Sequence, residues 1–147
     1  MAIEDGLLLL IQQGLAAQTP PVVATGAGVE LPKDVLSPTA PLGYTVRSIV
    51  SEPTYFLSGQ DGFTGLEVQI DCHGLGRDFG GPGFQGAVTL ARAIDAILRG
   101  GYAGTLPDAD GTVVEGIFRR PQFVDGFSDA NRSYVRTMEY LINYHQV

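Results

Sequence analysis

Gly65-Leu66-Glu67-Val68-Gln69-Ile70-Asp71-Cys72-His73 alternates between apolar and polar side chains without a break from Leu66 onward. Successive side chains of a strand point to opposite faces. The alternation therefore predicts a strand that buries Leu66, Val68, Ile70 and Cys72 and turns Glu67, Gln69, Asp71 and His73 to water or to a partner. Gly74–Gly83, which follows, reads as a glycine-rich loop. The period then becomes helical from Phe84 to Leu98, with Ala87, Leu90, Ala91, Ile94, Ile97 and Leu98 in one stripe and Gly100-Gly101 as the stop.

The same reading extends in both directions. Upstream, Tyr44–Val50 alternates as a strand, and Glu52-Pro53 with Gly59-Gln60-Asp61-Gly62 marks a loop. Ile3, Leu7, Leu10, Ile11 and Leu15 predict a helix from Ile3 to Ala17, with Glu4 and Asp5 where the helix dipole favours acids. Gly14 is expected to cost that helix about 1 kcal/mol against alanine. Residues 19–41 hold five of the nine prolines. They predict an extended arm with a short edge strand near Val22–Ala24, lying against the domain or a neighbouring subunit. Downstream, Thr112–Phe118 reads as a third strand and residues 137–144 as a fourth. The order helix, strand, strand, helix, strand, strand predicts one α+β domain over residues 1–147: an antiparallel sheet of about four strands with two helices on one face. Its expected core is Leu7, Leu10, Val68, Ile70, Leu90, Ile94, Ile97, Met138, Tyr140 and Ile142.

Composition narrows the function. The 147 residues are 44% hydrophobic and only 17% charged, with 20 glycines, about twice the usual glycine share of ~7%. No apolar run approaches the ~20 residues a membrane helix needs, and Leu7–Ile11, without basic residues before it, is not a secretory signal. A single cysteine excludes an intramolecular disulfide and a multi-cysteine metal site. A net charge of −7 argues against affinity for a phosphate backbone, and Arg119-Arg120 is too short a basic run to reverse that.

Two motifs invite a catalytic reading. Gly74-Leu75-Gly76-Arg77-Asp78-Phe79-Gly80 lies between a strand and a helix, where a dinucleotide fingerprint belongs. Its third glycine comes one residue late, however, and no acid follows at the required distance. Asp71 and His73 share a face as two metal ligands do, but the only other histidine is His145. Cys72, on the apolar face, reads as buried and inert. Neither a Gly-x-Ser-x-Gly elbow nor a His-Glu-x-x-His motif occurs. The expectation is a protein with no enzymatic activity, cofactor or metal. A small nucleotide- or ligand-binding enzyme using the Gly74–Gly83 loop is the rival from another class, and a monomeric interaction domain is a third reading.

An interface is the better-supported alternative. Leu141 stands among Thr137, Glu139 and Asn143 on the polar face of the last strand, with Val135 beginning that face. The connection from Arg119 to Tyr134 is long for a hairpin, whose loops usually hold 2–5 residues. It carries Phe123 and Phe127 in a polar setting. Arg119, Arg120, Phe123 and Phe127 are expected either to plug the sheet's open end or to dock on another subunit, with the arginines pairing with acids across the joint.

Three stretches carry a resemblance: the strand Gly65–His73, the helix Ala87–Leu98, and the ending Tyr134–Tyr144 with its preceding hairpin. Through them the chain resembles the tail terminator family of long-tailed bacteriophages, also called tail completion or head–tail joining proteins. It departs from that pattern in a longer arm at Thr19–Pro41 and a more glycine-rich Gly74–Gly83 loop. The resemblance implies a ring, usually of six copies, that caps the tail tube, stops its polymerisation and presents a joint to the head connector. The implied partners are itself, the tail tube protein and the head-closure or connector protein, with genomic DNA passing through the lumen unbound. The implied place is the tail–neck junction of the virion, and the host cytoplasm during assembly. Another phage neck protein, a head-closure or adaptor subunit, is the nearest alternative.

Overall fold

The computed structural model describes residues 3–52, 64–99, 104–106 and 111–146. The loop at 53–62 and the Gly100-Gly101 stop fall outside them. The chain forms α1 (Ile3–Ala16), β1 (Thr25–Ala27), β2 (Leu42–Glu52), β3 (Thr64–Leu75), α2 (Phe84–Leu98), β4 (Gly104–Thr105), β5 (Thr112–Arg119), β6 (Val124–Ser128) and β7 (Ser133–Gln146).

The expected four-stranded antiparallel sheet with two helices is overturned. One seven-stranded sheet dominates, in the order β1-β2-β3-β7-β5-β4 with β6 also on β7. It is mixed, because β1 runs parallel to β2, and it is curled into a half-barrel. Parallel neighbours need a long crossover, and residues 28–41 supply it. β1 thus begins three residues later than the edge strand expected at Val22–Ala24, and Val22 and Ala24 instead pack against the main core.

The long connection from Arg119 to Tyr134 is also corrected. β7 pairs with β3 along one side, from Thr64↔Tyr144 to Leu75↔Ser133. On its other side it takes β5 and then β6, end to end. Most of the supposed loop is therefore the outer half of a hairpin arm, closed by a turn at 129–132, where Arg132 takes a φ of 53°. Two bulges, between Ser48 and Val50 in β2 and between Val114 and Gly116 in β5, each add local right-handed twist and help the sheet to curl.

The core lies between the helices and one face of the sheet. Val68 sits opposite Tyr140 and Ile70 opposite Met138 across β3 and β7, while Tyr44 and Val46 face Cys72 and Ile70 from β2. Leu7, Ile11 and Leu15 of α1 and Leu90, Ile94 and Leu98 of α2 close over them, all buried. Each such side chain contributes roughly 1.5–3 kcal/mol on burial. Among the expected core residues, Ile97 is only half-buried. It crosses α1 at Gly14, where a Cβ would stand 2.7 Å from its Cδ1. Gly14 is thus the point where the two helices meet, which offsets its cost in propensity.

The arm folds on its own domain. Leu31 and Leu36 are buried with Leu75 in a second small cluster, and the Asn131 side-chain amide donates to the Pro32 carbonyl at 3.2 Å.

Candidate functional site

The helix-free face of the sheet carries the polar half of the alternating stretch. Thr45, Asp71 and Thr137 stand side by side on β2, β3 and β7. The Asp71 carboxylate accepts from Thr137 Oγ1 at 2.7 Å, Gln69 Nε2 at 3.0 Å and Thr45 Oγ1 at 3.5 Å. It ties three strands together rather than aiming at open space. His73, expected on the wet face, is instead buried, covered by the 128–131 turn and the arm at 29–31. Its Nδ1 lies 2.8 Å from Ser133 Oγ. Asp71, His73 and Ser133 bring together the residue types of a hydrolytic triad, but Ser133 is fully buried and the Asp71 oxygens are held by the threonines and Gln69. No substrate reaches that hydroxyl. Among the described residues, no three His, Cys, Asp or Glu side chains converge as metal ligands.

Burial pushes the His73 pKa below its ordinary value, opposed by the Asp71 charge. A group whose folded pKa is depressed stabilises the fold above its unfolded pKa of about 6.5 and loses that contribution as pH falls. Thermal stability should therefore decline on acidification from about pH 6.5, and His73→Gln should flatten that part of the profile. An identical acid limb in the variant would assign the decline to other groups. Cys72 is fully buried, and desolvation raises its thiol pKa far above the ordinary range, leaving it neutral and unreactive.

The six residues singled out for an interface divide between the two faces. Leu141 lies on the helix-free face opposite Phe118 of β5, and Phe118 is 57% exposed. The two form an apolar strip, flanked by Arg120, which pairs with Glu67 and with Glu139. Phe118 escaped the sequence reading because it stands at the end of a strand whose alternation the bulge interrupts. Val135, on the same face, lines a cleft of about 270 Å³ with Asp71 and His73.

Arg119, Phe123 and Phe127 lie on the helix side. Arg119 Nη1 stands 3.8 Å from Asp95 Oδ2, and the same carboxylate accepts from Tyr140 Oη at 2.7 Å and pairs with Arg99 at 2.9 Å. Phe123 is clamped between the guanidiniums of Arg119 and Arg136, at 4.6 and 4.5 Å from its centroid. Phe127 meets the Tyr134 ring edge to face at 5.1 Å. Both arginines expected to pair across a joint thus have acidic partners within the chain, and both phenylalanines lean on their own hairpin while staying partly exposed.

The Gly74–Gly83 loop has a structural explanation for its glycines. The Phe79 and Gly81 amides donate to the Gly76 carbonyl, Gly80 donates to Arg77, and Gly83 donates to Leu75. Those donors are turned inward, so they do not form the cradle that a phosphate needs. Gly80 and Gly83 take φ values of 86° and 73°, a region costly for other residues. At Gly74 a Cβ would stand 2.5 Å from the Gly83 carbonyl oxygen and 2.7 Å from the Ala87 nitrogen. The glycine lets the start of α2 rest directly on β3.

No known protein family and no curated protein matches the chain in sequence.

Proposed function

We propose that this chain is a structural virion protein: a tail terminator whose copies form a ring on the end of a phage tail tube, stop its growth and offer the joint to the head connector. The observation that carries this reading is the division of the sheet. The helices and the main core occupy one face, whereas among the described residues the other leaves Phe118 and Leu141 as an open apolar strip bordered by the Arg120–Glu67–Glu139 ion pairs. An apolar centre with a charged rim is the anatomy of a protein interface. The loop amides turned inward and the buried Ser133 remove support from the enzymatic alternatives. The net charge of −7 suits a lumen through which DNA slides without sticking.

Phage lacking this chain should assemble tail tubes beyond their normal length. Tails of normal length that fail to join heads would favour the head-closure or adaptor reading instead. A finer probe is Leu141→Asp. Leu141 is only half-buried, so its loss should leave the melting midpoint nearly unchanged, while a charge in the strip removes ring mass in sedimentation and capping of tubes. Rings and capping that both survive the substitution would show Leu141 to be an ordinary surface leucine.

A further inference from the structure

Positive charge gathers at one place on this acidic chain. Arg92 and Arg99 of α2, Arg119 at the end of β5 and Arg136 of β7 surround Asp95 on the helix side, with Asp125 of β6 beside them. Four guanidiniums face two carboxylates there, on a chain whose formal net charge is −7. Asp125 is taken up by Arg136 through two hydrogen bonds of 2.9 and 3.1 Å. Asp95 is shared three ways: it accepts from Tyr140 Oη at 2.7 Å, pairs with Arg99 at 2.9 Å and reaches Arg119 only at 3.8 Å. Arg92 has no acidic partner among the described residues. Arg119 is the poorly compensated one inside, with a side chain only 16% exposed. Its Nε is buried and has no hydrogen-bond partner among the described residues. A buried donor left without an acceptor costs free energy, and an ordered water or an ion commonly satisfies such a group.

A hollow of about 30 Å³ opens at this point, bordered by Arg92, Asp95, Arg119, Phe123, Arg136 and Met138. That is about the volume one water takes up in the liquid, so the hollow accepts a single small guest and is too small for a phosphate. Its wall decides which guest. Three of the bordering side chains are arginines, and a guanidinium offers donors only. Phe123 and Met138 supply no strong acceptor, and the Asp95 carboxylate already serves Tyr140, Arg99 and Arg119. A water would have to place its own two hydrogens against this wall. An anion accepts from every side, and it also supplies the counter-charge that buried cations require. A halide-sized anion meets both demands.

We propose that a chloride ion occupies this hollow, held by Arg119 together with Arg92 and Arg136, and fastens the end of β5 to α2. The site goes beyond the ring-forming reading and stands whether or not that reading holds. The test follows the melting midpoint of the full-length protein at fixed ionic strength, as gluconate, too large for the hollow, is exchanged for chloride or bromide. A ligand that binds only the folded state stabilises it with the logarithm of its concentration once half-saturation is passed. The midpoint should therefore rise with either halide. Arg92→Gln should need at least about tenfold more chloride for the same rise, as the loss of one hydrogen bond to a charged partner implies. A crystal soaked in bromide should show the anomalous signal of one bromide within hydrogen-bonding reach of Arg119. Equal midpoints in gluconate and chloride, an undiminished chloride response in Arg92→Gln, or a water in place of bromide beside Arg119 each overturns the site.

Discussion

Gly74→Ala should destabilise the fold by about 3 kcal/mol, the upper end of what overpacking usually costs. The added methyl meets the Gly83 carbonyl oxygen and the Ala87 amide nitrogen, at 2.5 and 2.7 Å. Both are backbone atoms, so no side-chain rotation relieves the overlap, and α2 must lift from β3 at its first turn. Denaturant unfolding checks this, with Gly28→Ala as the control. No atom lies within 4 Å of a Cβ built at Gly28, so that change should stay within about 0.5 kcal/mol, as surface substitutions do. Equal midpoints for the two variants would mean that α2 does not sit as closely on β3 as described.

Ile94→Ala should cost about 2–5 kcal/mol, the range for removing a large aliphatic side chain from a packed core. Ile94 is fully buried in the stripe of α2 that covers β3 and β7. Its loss leaves a void bounded by both helices and the sheet. An unchanged denaturation midpoint would sink its assignment to the core. The substitution also separates folding from assembly, because any loss of rings should track the loss of native protein.

The parts of the fold legible in the sequence are those with one buried side and one wet side. Alternation from Leu66 to Cys72 located β3, and the helical stripe located α2 from Phe84 to Leu98. Period fails where both sides share the same surroundings. β6, Val-Asp-Gly-Phe-Ser, is exposed along nearly its whole length and shows no alternation to read. β1 and β4 span three and two residues, too short for any period, and β1 is held by a crossover that sequence spacing does not announce. His73 was misplaced for a different reason. Alternation assigns it a face, but it cannot say that the arm and the 128–131 turn will fold over that face. The candidate interface was partly legible: Leu141 stood out against polar neighbours, whereas its companion Phe118 did not. A cleft between the Gly76–Phe79 turn and the β6–β7 hairpin gathers Phe79, Phe84, Phe127 and Tyr134 from three separate segments, and nothing local in the sequence links them.

The pairing of β3 with β7 has a consequence in time. The register joins Thr64–Leu75 to Ser133–Tyr144, so the strand at the centre of the sheet waits for a partner made much later. At roughly 5–20 residues per second of synthesis, the wait is on the order of 3–12 s. Throughout it, the β2–β3 hairpin presents a bare row of amides and carbonyls beside Leu66, Val68 and Ile70, a template for any passing strand. Newborn chains are therefore vulnerable to clumping until Ser133–Tyr144 is free to pair with β3. Released fragments that end ahead of Ser133 should be insoluble, where fragments that include Ser133–Tyr144 should not.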